Sequence, residues 1–136
     1  MLLHIDHIAP TRIAVLDSEG NSVTYGEIVE EALRLRETYA EREFRIVLVD
    51  NTANSVKEVM SMMASERIVP LILNKKTDPT LLQHLKDTYG NTGTAVHPQL
   101  SHLLPTSGST GSPKLVRHCY ENIEAAGLNI STFFEL

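Results

Sequence analysis

Two apolar runs without polar interruption, Ile46-Val47-Leu48-Val49 and Val69-Pro70-Leu71-Ile72-Leu73, constrain this chain more than any other feature. A strand with one solvated face alternates apolar and polar residues, whereas a continuous run needs cover on both faces. Segments of helical period supply that cover. Thr24 with Glu27 forms a capping box, and Tyr25, Ile28, Val29, Ala32 and Leu33 follow helical spacing in a helix expected to end near Ala40. Ser55 with Glu58 predicts a second capping box, with Val56, Val59, Met60 and Met63 as its core stripe. Asp78-Pro79 reads as the N-cap and first residue of a third helix, which carries Leu81, Leu82, Leu85 and Tyr89 and stops at Gly90-Asn91-Thr92-Gly93.

Shorter signals complete the order. Ile13-Ala14-Val15-Leu16, a turn, and a return through Val23 read as paired strands. Thr94-Ala95-Val96, Ser101-His102-Leu103-Leu104 and Leu115-Val116-Arg117-His118 are further strand candidates, and Pro70 is expected at the start of its strand. A last helix carries Ile123, Ala126, Ile130 and Phe133. The alternation of strand and helix predicts an α/β fold, a three-layer αβα arrangement with a mostly parallel sheet, in one domain over residues 1–136.

Composition narrows the partners. Twelve basic residues against seventeen acidic give a net charge of −5, which argues against a broad nucleic-acid or anionic-membrane surface. No apolar run reaches the length of a membrane span. With Cys119 the single cysteine, no intrachain disulfide forms, and a reducing, cytoplasmic setting is expected.

The stretch Leu103-Leu104-Pro105-Thr106-Ser107-Gly108-Ser109-Thr110-Gly111-Ser112-Pro113-Lys114-Leu115-Val116 carries the chemistry. A phosphate site needs several donors converging on one spot. Gly108 and Gly111 let the backbone approach closely, while Thr106, Ser107, Ser109 and Thr110 offer hydroxyls and Lys114 a positive charge. It is not a Walker loop, which needs Gly directly before Lys and Ser or Thr after it. On composition alone, a Ser/Gly connection without a ligand fits equally well.

Thr106-Ser107-Gly108-Ser109-Thr110-Gly111-Ser112-Pro113-Lys114 resembles the signature loop of the adenylate-forming (AMP-binding) superfamily, which includes acyl- and aryl-CoA synthetases, luciferases and the adenylation domains of nonribosomal peptide synthetases. Val23-Thr24-Tyr25-Gly26-Glu27-Ile28 resembles an early helix start of that family, and Ile46–Asn51 with Val69–Asn74 its next strand–helix–strand unit. The resemblance implies the fold of the family's N-terminal subdomain. It also implies carboxylate activation with ATP and Mg²⁺, then transfer of the acyl group to a thiol such as CoA or a carrier protein. In that role Thr106, Ser107, Gly108, Ser109, Thr110 and Gly111 would hold the ATP phosphates, and Lys114 would offset charge developing on pyrophosphate.

Two positions depart from the pattern. Leu115 stands where the family usually has Gly, and Tyr120 where a histidine is common. The family's Tyr-Gly-x-Thr-Glu segment, ribose-binding aspartate and C-terminal lysine domain have no counterpart in the chain. The expectation is therefore the N-terminal part of a ligase, inactive alone. The alternative is a non-catalytic module that keeps the fold for anion binding or protein association, including pairing of two copies. His4 and His7 share a helical spacing, but the other histidines are scattered in sequence, so no metal site is expected. Cys119 is expected to be buried and inert, and Asn51 and Asn54 to be turn residues.

Overall fold

The computed structural model describes residues 1–90, 96–106 and 114–135. A 3-10 turn over Leu2–His7 leads into β1 (Ile13–Leu16), β2 (Ser22–Thr24), α1 (Tyr25–Thr38), β3 (Glu43–Val49), α2 (Ala53–Ser65), β4 (Ile68–Asn74) and α3 (Pro79–Tyr89). β5 (Leu100–Pro105), β6 (Leu115–Cys119) and α4 (Tyr120–Phe133) follow. β1 and β2 pair as an antiparallel ribbon. The main sheet has the order β3-β4-β5-β6, with β3, β4 and β5 parallel and β6 antiparallel to β5.

The uninterrupted apolar runs are explained by two cores. Val47 and Ile68 face α1 and α2, where Leu35 and Met62 meet them. Phe44, Ile46, Leu48, Val69, Leu71 and Leu73 face the other way, against Leu81, Leu82 and Leu85 of α3. Neighbouring strand residues thus enter opposite cores, giving the three layers expected.

Helix starts follow local chemistry. In α1 the Thr24 hydroxyl accepts from the Glu27 amide at 3.2 Å, and the Glu27 carboxylate accepts from the Thr24 amide at 2.7 Å. For α2 the cap is Thr52, not Ser55: Thr52 Oγ1 accepts from the Ser55 amide at 3.2 Å, because the Ser55 hydroxyl is turned to Asp50 at 2.7 Å. Asn54 is accordingly helical, not a turn residue. The α2 stripe also differs from expectation. Val56 is exposed, and Ser61 through Ser65 are all buried, since the last turn meets α1, the sheet and α4 together.

Other expectations shift by particular amounts. β3 begins at Glu43 and runs in register with β4 from Glu43↔Ile68 to Val49↔Asn74, which places Pro70 opposite Arg45 inside the strand. The β5 side of β4 is first paired at Leu71↔Leu103, so a residue without an N–H is accommodated before it. Of the strand expected at Thr94-Ala95-Val96, Thr94 and Ala95 lie outside the described residues, as do Asn91, Thr92 and Gly93; Val96 belongs to no strand.

α4 departs most. Tyr120 and Ile123 pack with Leu2, Met63 and Val59, but Ile130 and Phe133 of the expected core stripe are 54% and 80% exposed. The helix is held at its first turns against β6 and the N-terminal 3-10 turn, and its later turns extend past them. Cys119, expected to be buried, is only partly buried at the junction of β6 and α4.

Candidate phosphate-binding site

Parallel strands present their carboxyl ends at one edge of a sheet, where ligands of α/β proteins are held. At this edge β3 runs into Asp50, β4 into Lys75 and β5 into Thr106. Thr106 opens the Ser/Gly/Lys loop and Lys114 closes it. The Thr106 amide donates to the Lys114 carbonyl at 2.7 Å, and the Thr106 hydroxyl donates to the same oxygen at 3.1 Å. The Lys114 amide in turn donates to Thr106 Oγ1 at 3.2 Å. Beyond this clasp the β5–β6 ladder continues from Pro105↔Leu115. The loop's two ends are therefore fixed to each other at the carboxyl edge.

Of the residues singled out from the sequence, Thr106 and Lys114 are thus brought together. Ser107, Gly108, Ser109, Thr110 and Gly111 lie outside the described residues. The hydroxyl proton of Thr106 is used on the Lys114 carbonyl. Lys114 is exposed, and its ammonium has no hydrogen-bond or ion-pair partner among the described residues. Leu115, the departure from Gly, turns into the α3-side core and lines a mostly apolar cavity of about 250 Å³ with Phe44, Ile46, Leu71 and Leu103. A glycine there would leave the strand end without that anchor.

Tyr120, the second departure, sits far from the loop. β6 runs away from the carboxyl edge, so Tyr120 stands at the amino edge, ~17 Å away by strand rise. Its hydroxyl donates to the Met63 carbonyl at 3.2 Å and accepts from Arg42 at 3.3 Å. Burial raises the phenol above its ordinary value. Tyr120 is a core residue.

The carboxyl edge holds one cluster that sequence reading did not single out. Asp50 accepts from Lys75 Nζ at 2.8 Å, Thr52 Oγ1 at 2.5 Å and Ser55 Oγ at 2.7 Å. Lys75 first, then the two hydroxyls, hold this carboxyl well below the usual range. It remains ionised, and its charge neutralises that of Lys75. The cluster pins two strand ends and supplies no free acid or base. Its signal was the Asp-x-Thr-x-x-Ser spacing after an apolar run, but the Lys75 partner comes from another strand. Among the described residues no three His, Cys, Asp or Glu converge on a point to form a carboxylate cage. Bound with few protein ligands, Mg²⁺ is suited to travel on the phosphates of a nucleotide.

No family model matches the sequence, and no curated protein does either. The fold, however, is that of the N-terminal part of adenylate-forming enzymes. It is similar to o-succinylbenzoate coenzyme A synthetase from Bacillus subtilis, solved in complex with AMP: TM-score 0.67 and 20% identity over 93% of this chain and 44% of that one. The Klebsiella oxytoca NpsA N-terminal subdomain gives 0.66 and 16% over 90% and 42%. Apo MatB from Rhodopseudomonas palustris gives 0.65 and 13% over 97% and 36%. The chain thus spans less than half the length of these structures. At such identities the likeness establishes the fold.

Proposed function

We propose that this chain is the N-terminal portion of an ATP-dependent carboxylate-activating ligase and that the loop from Thr106 to Lys114 binds the β- and γ-phosphates. In the reaction a carboxylate oxygen attacks the α-phosphorus of MgATP and pyrophosphate leaves. The resulting acyl-adenylate then passes its acyl group to a thiol such as CoA or a carrier protein, releasing AMP. Lys114 is assigned to the charge on departing pyrophosphate. Thr106 is assigned to hold the loop ends together and, on rearrangement of the clasp, to donate to phosphate. One observation supports this above others: a signature-like loop clasped at the carboxyl edge of a fold shared with an enzyme solved with AMP.

The acyl pocket, the ribose contacts and the later catalytic lysine are assigned to polypeptide beyond these residues, so the chain alone is proposed to be inactive and to bind MgATP weakly. Titration with millimolar MgATP is expected to shift the Thr106 and Lys114 amide signals, and Lys114→Ala to abolish the response of Thr106. Absence of any shift at either amide refutes the phosphate assignment. Carboxylate-dependent ATP–pyrophosphate exchange by the chain alone refutes the assignment of the remaining groups elsewhere.

A second reading, a protein-association module, is favoured by α4. Leu128, Ile130, Phe133 and Phe134 are all exposed, with the last two rings packed edge-to-face at 5.0 Å. Exposed apolar surface of this kind marks contact with another polypeptide. Sedimentation velocity over a hundredfold concentration range tests self-association directly.

A further inference from the structure

The β5–β6 hairpin joins two histidines that lie on opposite sides of the signature loop in sequence. His102 and His118 are directly paired across the strands, and their rings stack with centroids 4.6 Å apart and planes within 6°. Ser101 fixes the chemistry of one of them. Its hydroxyl has a single proton, which is donated to the His118 carbonyl at 2.9 Å. Toward His102 Nδ1, 2.8 Å away, Ser101 Oγ must therefore accept. Nδ1 carries the hydrogen, and the lone pair of the neutral ring is on Nε2. That nitrogen and both nitrogens of His118 have no hydrogen-bond partner among the described residues.

We propose that His102 and His118 together bind a divalent transition-metal ion of the Cu²⁺, Ni²⁺ or Zn²⁺ class, through Nε2 of His102 and a ring nitrogen of His118. Neutral imidazole is the preferred ligand for such ions, and a ligating ring ordinarily has its other N–H held by an acceptor, the part Ser101 plays here. Directly paired cross-strand residues have Cβ atoms about 5 Å apart, and the His χ2 torsion is broad, so rotation of the His118 ring, with His102 held by Ser101, opens the stacked pair into a two-toothed chelate. Burial, and then the neighbouring imidazole, lowers His102 to about 4, which leaves it neutral at physiological pH. No third His, Cys, Asp or Glu joins the pair among the described residues, so water completes the coordination and binding is exchangeable. The site lies four residues from the loop clasp along each strand, and an ion there would staple the two arms that carry the loop.

The test uses CuSO₄ and the uniformly ¹⁵N-labelled chain at pH 7.5, since Cu²⁺ binds such ligands most tightly. Substoichiometric Cu²⁺ is expected to broaden the amide signals of Ser101–Leu103 and Arg117–Cys119 before any others. Competition with a coloured chelator is expected to show affinity falling about tenfold or more in both His102→Ala and His118→Ala, and by a smaller factor in Ser101→Ala. Broadening centred instead on His4 and His7, whose rings are 6.0 Å apart, overturns the proposal. So does the absence of broadening, or wild-type affinity in either histidine variant. The broadening map needs no substitution, so a variant that folds poorly does not shield the proposal.

Discussion

Arg42 ties the amino edge of the sheet together, and its replacement by lysine gives a quantitative test. Its guanidinium donates to the Glu66 carbonyl at 3.0 Å, to the His97 and Leu100 carbonyls, and to Tyr120 Oη at 3.3 Å, and it lies 5.5 Å from the Tyr120 ring centroid. These acceptors belong to the left-handed C-cap of α2, the entry to β5 and the start of α4. Arg42→Lys keeps the charge but removes the planar fork, and one ammonium cannot reach acceptors in three directions. At about 1 kcal/mol for each of two part-buried bonds lost, and less for the exposed one to His97, the variant should be less stable by about 2 kcal/mol. With a urea slope of about 2 kcal/mol/M for a chain of this size, the midpoint falls by roughly 1 M. Far-UV circular dichroism is the suitable probe because the chain contains no tryptophan. Arg34→Lys serves as a control, since the Arg34–Glu31 pair lies on the helix surface and should shift the midpoint little. A midpoint for Arg42→Lys within about 0.2 M of wild type refutes the reasoning.

Three further outcomes are expected. Thr106→Val removes the two hydroxyl contacts of the clasp and keeps the backbone one, so global stability should change by about 1 kcal/mol or less; amide exchange at Lys114 should nevertheless accelerate, and an unchanged rate contradicts the clasp. Asp50, Asp17 and Glu27 all have carboxyls held below their ordinary values, Asp50 chiefly by Lys75, Asp17 by the Ala53 amide and Glu27 by the Thr24 amide. The unfolded chain binds more protons at His102 between about pH 6.5 and 4 and at these carboxyls below about pH 4, so melting temperature should be flat above about pH 7 and fall on acidification, with the fall below about pH 4 less steep in Asp50→Asn. Ile130→Glu together with Phe133→Glu should leave the melting temperature nearly unchanged while abolishing any concentration-dependent association, because both side chains are exposed; a loss of several degrees would place them in a core.

Much of this architecture was legible from short-range chemistry. A capping box, an Asp-Pro start and uninterrupted apolar runs each act within a few residues, so α1, α3, β3 and β4 follow from the chain alone. The α2 cap was misplaced by three residues because Ser55 answers to Asp50, a choice the spacing cannot reveal. The family-like loop was equally plain as a string, although its inner residues lie outside those described.

What the sequence by itself determined is the period of each segment, the caps that start the helices, the net charge and the single Ser/Gly/Lys loop. Only the tertiary structure decided which apolar stripe is covered. Ile123 and Ile130 have the same hydrophobicity, yet one meets the core beside Met63 and the other is left outside it, because burial depends on how far a helix overlaps its neighbours. Strand pairing likewise set Lys75 against Asp50 and His102 against His118. Such charges and ring nitrogens acquire their chemistry from neighbours distant in the chain, and a linear pattern carries no information on those distances.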